Sequence, residues 1–219
     1  IEQSLRSLRT DYIDLFQFHN PAVLPDPNDP DGPFAAALEM QKKGYIRHIG
    51  ITNHRMKVAR EAIDSGLYET LQFPFCYLAS EEEVELVRLC QEKDLGFIAM
   101  KGLSGGLLNN AEACYAFMRQ YPNVVPIWGI QHEWELDQWL ELSRRDPAMT
   151  PELQAVIEHD RSELAGNFCR SCGYCLPCTA GIDIPQAARM SALLRRSPYQ
   201  PYMSDEWHEK MHRIEECVH

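Results

Sequence analysis

The sequence predicts an alternating α/β fold with a parallel sheet, and three observations carry that reading. Five short apolar, β-rich runs recur, at 12–19 (YIDLFQFH), 46–51 (IRHIGI), 70–75 (TLQFPF), 95–100 (LGFIAM) and 124–128 (VVPIW). A segment of helical periodicity follows each of them. Their ends fall 32, 24, 25 and 28 residues apart, which leaves room in each interval for a helix that carries the chain back to begin the next parallel strand. The first strand leads into no G-x-G-x-x-G turn. Part of a (β/α)8 TIM barrel, about five βα units, is therefore preferred to an open doubly wound sheet.

Each element has a local cause. The helices are expected at 34–43, 55–65, 80–93, 109–120 and 133–143. The third opens with Ser80 followed by Glu83, the pattern of a capping box. The stretch 21–33 (PAVLPDPNDPDGP) is proline- and aspartate-rich but fits no calcium-loop register. It reads as a stiff loop over the barrel mouth. Strands stop after about residue 146. Helices are then expected at 151–164, 185–195 and 204–216. The division is thus a barrel part at 1–145 and a small helical, cysteine-rich module at 146–219.

Composition narrows the class. The chain has 219 residues, 45% of them hydrophobic, and a formal charge of −11. The excess acid lies before residue 161, and the remainder is balanced with seven basic and seven acidic residues. An acidic body argues against nucleic acid or an anionic membrane as partner. No apolar run reaches the ~18–20 residues of a membrane span, and the first residues do not form a signal peptide. A cytoplasmic location is expected, and there clustered cysteines point to metal chemistry more than to disulfides.

Two constellations carry chemistry. Polar residues collect just past the strands: His19-Asn20, Thr52-Asn53-His54, Lys101 with the glycines after it, and Gln131-His132. In a barrel these positions share the C-terminal face, where active sites are built. The second constellation is F-C-R-S-C-G-Y-C-L-P-C, with Cys169, Cys172, Cys175 and Cys178. Two-residue spacers turn the chain back on a common centre, the habit of a [4Fe-4S] loop, whereas zinc favours two separated knuckles. Arg170 and Gly173 suit an anionic cluster. The fourth ligand is left between Cys178 and a remote residue such as Cys217, and Cys217 is expected to open a further motif past His219. Cys76, Cys90 and Cys114 read as packing residues. His208 and His212, at i and i+4, read as a solvated face.

The runs S-L-R-T-D-Y-I-D-L-F-Q-F-H-N-P, K-G-Y-I-R-H-I-G-I-T-N-H, L-Q-F-P-F-C-Y-L and A-M-K-G-L-S-G-G-L-L together resemble the aldo/keto reductase family. The cysteine module is similar to that of the subset with a C-terminal ferredoxin-like extension. The resemblance implies a barrel that binds NAD(P)H without a Rossmann fingerprint and transfers hydride to a small carbonyl, or from an alcohol. It implies that His19 orients the substrate carbonyl. Thr52, Asn53 and Gln72 would hold the nicotinamide carboxamide, with Met100 packing where many relatives stack an aromatic. Lys101, Gly102, Leu103 and the chain to Gly106 would surround the pyrophosphate, and Gly129, Gln131, Glu135 and Gln138 the adenosine ribose. Residues 130–138 contain no Lys or Arg for a 2′-phosphate, so NADP and NAD stay open. The resemblance also implies that this chain is an internal fragment, with three strands and the family's Asp, Tyr and Lys before Ile1. The fragment alone is then expected to be inactive and to expose aggregation-prone edges. With the cluster, a redox partner is expected. A non-catalytic NAD(P)H-binding regulatory barrel and an electron-transfer protein are the alternatives, and a zinc-stapled module is the bland form.

Overall fold

A computed structural model describes residues 1–164, 169, 171, 173–196 and 199–218. Its sheet has five strands, all parallel, in the order β1-β2-β3-β4-β5. They are β1 (Ile13–His19), β2 (Ile46–Thr52), β3 (Thr70–Pro74), β4 (Gly96–Met100) and β5 (Val124–Pro126). Every neighbour in the sheet is a neighbour in sequence. A doubly wound sheet needs a reversal of strand order, and none occurs here. The helices are α1 (Glu2–Leu8), α2 (Pro33–Lys42), α3 (Met56–Ser65), α4 (Glu81–Glu92), α5 (Ala111–Met118), α6 (Glu133–Arg145), α7 (Pro151–Glu163), α8 (Ile184–Arg196) and α9 (Asp205–His212). The short α1, which the sequence pattern had not disclosed, ends on Arg9 in the left-handed region.

The chain divides into two compact units. The first comprises 1–75, 79–100 and 121–127, and the second 76–78, 101–120 and 128–219.

The first unit contains the whole sheet. Alternation decides what each face does. Ile49, Ile51, Leu71, Phe73, Phe97 and Ala99 lie on one face and are buried, with α2, α3 and α4 packed on β2, β3 and β4. Phe18, Phe34 and Tyr68 close one corner by ring contacts, and Phe75 meets the edges of Phe97 and Tyr121. Ser80 caps α4 as its sequence promised. Its hydroxyl accepts the Glu83 N–H at 3.3 Å, and the Glu83 carboxylate accepts the Ser80 N–H at 2.7 Å. The opposite face carries Gln17, His19, Thr52, Gln72, Ile98 and Met100 and is partly open. Between β1 and α2 the chain runs without a regular element, turned by Asp26 and Asp29, whose carboxylates accept the N–H groups of Asn28 and Asp31.

In the second unit α5 packs on α6 and α7. Cys114 is fully buried there, as Cys90 is in the first unit, and Cys76 is nearly so. Burial pushes the Cys90 thiol up to about 12, which marks it as a packing residue and not a nucleophile. Among the described residues no helix is long and apolar enough to cross a membrane.

Candidate active site

Strand register brings the first set of candidates into line. His19 pairs with Thr52, and Thr52 with Gln72. Paired residues of parallel strands point to the same face, so these three form one row at the C-terminal end of the open face. Met100 lies one step further round, its strand paired with β3 through Pro74. The Gln72 amide is oriented: Gln17 Nε2 donates to Gln72 Oε1 at 3.0 Å, and Gln72 Nε2 faces the Met100 sulfur at 3.6 Å. Thioether sulfur is a weak acceptor, so this N–H2 group keeps its capacity for a better one. One row below lie Gln17, Gly50 and Thr70. A Cβ on Gly50 would stand 2.1 Å from Thr70 Oγ1, so only glycine lets the two strands present this row. Gln17 Oε1 and Thr70 Oγ1 are buried with no hydrogen-bond partner among the described residues.

Asn53 behaves differently from its neighbours. It is fully buried. Its Nδ2 donates to the Pro21 carbonyl, and its Oδ1 accepts the backbone N–H groups of His54 and Arg55, each at 2.9 Å. Both acceptor positions are therefore spent in tying the loop after β1 to the start of α3. What Asn53 can offer a ligand is its remaining N–H, a donor only.

In the second unit the glycine-rich loop is strongly turned. Lys101, Ser104, Gly105 and Gly106 all have positive φ, at 60°, 48°, 65° and 88°. The Ser104 and Gly106 N–H groups are spent on the Lys101 and Leu103 carbonyls, at 2.7 and 3.0 Å, so an anion would be met by the other N–H groups of this turn. Gly102 is buried, Leu103 half-buried, and Lys101 and Gly106 exposed. Gly129, Gln131 and Gln138 are exposed. Glu135 caps α6: its carboxylate accepts the Gln131 N–H at 2.6 Å and the His132 N–H at 2.9 Å. Those two bonds hold its pKa below the usual carboxylate range. Trp128 stacks on Trp139 at 4.0 Å and 3° and fixes the base of the same segment.

Sequence reasoning passed over the groups that hold this loop. Arg189 of α8 is only 5% exposed, and its Nη2 donates to the carbonyls of Ser104 at 3.0 Å and Gly105 at 2.6 Å. Arg196, one end of the same helix, gives its Nε to the Leu107 carbonyl at 2.9 Å and pairs with Asp160 and Glu163. Asp160 also accepts the Tyr77 hydroxyl, and Arg161 Nε donates to the Tyr77 carbonyl at 2.7 Å. Burial first, then the Cys114 sulfur and Asp160, push the Tyr77 phenol far above its usual range. In sequence these arginines look like the solvated face of a helix.

Of the cysteine motif, Cys169 and Cys178 are half-buried and Cys175 and Cys217 exposed. Cys169 Sγ accepts the Ser171 N–H at 3.4 Å. Cys172 and Arg170 lie outside the described residues. Among the described residues no three His, Cys, Asp or Glu side chains converge as a metal site. The donors are chemically right for a soft metal.

Comparison with known proteins agrees with the sheet. Residues 1–120 match the profile of the Aldo/keto reductase family, and the chain belongs to that family. Over 110 residues it is 34% identical to the oxidoreductase YcsN of Bacillus subtilis, a match covering 48% of this chain and 35% of that protein. Over 108 residues it is 30% identical to the NADH-specific methylglyoxal reductase of Escherichia coli, covering 49% and 33%. The matched stretch thus spans about a third of each of these relatives. Among solved structures, the aldo-keto reductase AKR11C1 of Bacillus halodurans superposes with a TM-score of 0.60 at 21% identity, covering 73% of this chain and 65% of that one. An aldo-keto reductase of Klebsiella pneumoniae in complex with NADPH gives 0.57 at 22%, covering 72% and 62%. These structures support the fold: an α/β arrangement whose five-stranded sheet matches part of a barrel.

Proposed function

We propose that this chain belongs to an NAD(P)H-dependent oxidoreductase of the aldo/keto reductase type, acting on a small carbonyl or alcohol. The observation that carries the reading is the row His19–Thr52–Gln72 on the open face. The residues fit the cofactor: Gln72 offers an amide N–H2 with only a thioether before it, and the turn at 101–106 suits a pyrophosphate. When bound, the nicotinamide supplies the hydride. His19 orients the carbonyl oxygen through a ring nitrogen. Thr52 and Gln72, with one N–H of Asn53, fix the carboxamide, and Met100 packs the ring. Lys101, Gly102, Leu103 and Gly106 serve the pyrophosphate, and Gly129, Gln131 and Gln138 the ribose. Glu135 acts there through the backbone it caps. Residues 130–138 lack a cation for a 2′-phosphate, and both NADH and NADPH stay candidates.

The same proposal assigns Cys169, Cys172, Cys175 and Cys178, with Cys217 as the alternative fourth ligand, to a [4Fe-4S] cluster in a C-terminal module at 146–219. It places the protein in the cytoplasm with a redox partner. The support is the C-x2-C-x2-C-x2-C spacing alone.

Fluorescence titration with NADH and NADPH tests the first part. Binding that weakens about tenfold or more in Gln72→Leu, with the fold intact, is the expected result. Equal binding by Gln72→Leu removes the proposed carboxamide site. Iron analysis and visible absorption of anaerobically purified protein test the second part. A colourless, zinc-loaded protein would replace the cluster by a structural zinc.

A further inference from the structure

The buried guanidinium of Arg189 has no obvious reason to be where it is. It is a full positive charge, 5% exposed, and the groups it bonds are two neutral carbonyls, those of Ser104 and Gly105. Its Nε is buried with no hydrogen-bond partner among the described residues, no carboxylate among them forms an ion pair with it, and the anion-forming groups near it are the Cys169 thiol and the Tyr202 phenol. Arg196 on the same helix is the contrast, since Asp160 and Glu163 both compensate its charge. A buried cation without an anion is costly, and an arriving anion would offset that cost.

The position of Arg189 says where. A peptide group's C=O and N–H point in opposite directions. By holding the Ser104 carbonyl, Arg189 turns the N–H of Gly105 to the side away from itself. By holding the Gly105 carbonyl it fixes the next peptide plane, whose N–H, on Gly106, closes the turn onto Leu103 O at 3.0 Å. Gly105 itself must be glycine: its φ is +65°, and a Cβ would lie 2.8 Å from Arg189 Nη1. The guanidinium therefore sits directly behind the loop, polarising its peptides and aiming positive charge through it.

We propose that Arg189 is a positioning residue of the diphosphate-binding loop, so that helix α8, which follows the cysteine motif, forms part of the nucleotide site. The ligand is an anionic diphosphate, and Arg189 acts on it without touching it, through the Ser104–Gly105 peptide, whose N–H faces away from the guanidinium. This rests on the assignment of the glycine loop to the pyrophosphate.

The test uses the intact protein with ADP-ribose, which carries the diphosphate, and adenosine, which does not. Arg189→Met and Arg189→Gln remove the charge at similar volume. ADP-ribose affinity is expected to fall about tenfold or more in both while adenosine affinity stays constant, and Arg189→Lys is expected to restore part of the loss. Equal loss for both probes would show mere structural damage and overturn the proposal, as would unchanged ADP-ribose binding in a folded neutral variant. Should the neutral variants fail to fold, amide exchange in the unaltered protein decides. ADP-ribose is expected to slow exchange in both 101–106 and 186–196, and an unaffected α8 overturns the proposal. A wild-type protein that binds NADH but not ADP-ribose would instead overturn the loop assignment itself.

Discussion

The sheet of the first unit and the glycine-rich loop of the second are held by different physics. The first is a sheet whose helix-facing side is a continuous apolar layer of Ile49, Ile51, Leu71, Phe73, Phe97 and Ala99. The second unit fixes its glycine-rich loop with buried charge: Arg189 on two carbonyls, and Arg196, paired with Asp160, on a third. Apolar packing is non-directional and forgives exchanges of similar shape. A buried ion network is directional, and losing one member strands the others. The difference teaches that the scaffold can drift in sequence while the loop's anchors cannot.

Substitutions can break that contrast. Asp160→Ala leaves Arg196 and the Tyr77 hydroxyl without their shared acceptor and is expected to destabilise by ~3–5 kcal/mol in denaturant titration. A loss under ~1 kcal/mol would mean that the network contributes little. Asn53→Ala, which frees two backbone N–H groups and the Pro21 carbonyl at a fully buried position, is expected to cost about 2–3 kcal/mol. It should also loosen the loop at 21–32, seen as faster amide exchange at His54 and Arg55. Leu71→Met, a volume-conserving exchange at a fully buried site of the apolar layer, is expected to cost less than ~1.5 kcal/mol. If it costs as much as Asp160→Ala, the contrast between the units fails.

The smallest expected effect is a pH dependence at the start of α6. The folded pKa of Glu135 lies below its ordinary 4.5 because the carboxylate accepts the Gln131 and His132 N–H groups. The cap is therefore fully present above about pH 4.5 and is lost as pH falls through the lower folded value. Amide exchange at Gln131 and His132 should accelerate in that acid window and be insensitive to it in Glu135→Gln.

How much was legible beforehand differs between the same two regions. All five strands and the helices after them follow from periodicity, with boundaries moved by a residue or two, as at β4, which begins at Gly96 and not Leu95. The capping box at Ser80 was equally readable, since cap and partner are three residues apart. The row His19–Thr52–Gln72 follows once strands are placed, because register and alternation are local rules. Gln17 was within reach too: it stands two residues before His19 and so shares its face. Arg189 was not. Its partners lie 84 and 85 residues away, and nothing in a helix with a polar stripe distinguishes a buried arginine from a solvated one. The role of Asn53 was half visible, since an amide after a strand suggests a ligand, but the bonds to Pro21, His54 and Arg55 appear only when the loops meet.

By itself, then, the sequence determined the strand–helix alternation, the family to which the chain belongs and the polar row at the strand ends, because each depends on spacing along one chain. Only the tertiary structure decided which polar groups are already committed, as Asn53 and Glu135 are, and which buried cations have no carboxylate partner among the described residues, as Arg189 has none. Those are properties of neighbours brought together from distant positions, and burial and partnering exist only after the chain has folded.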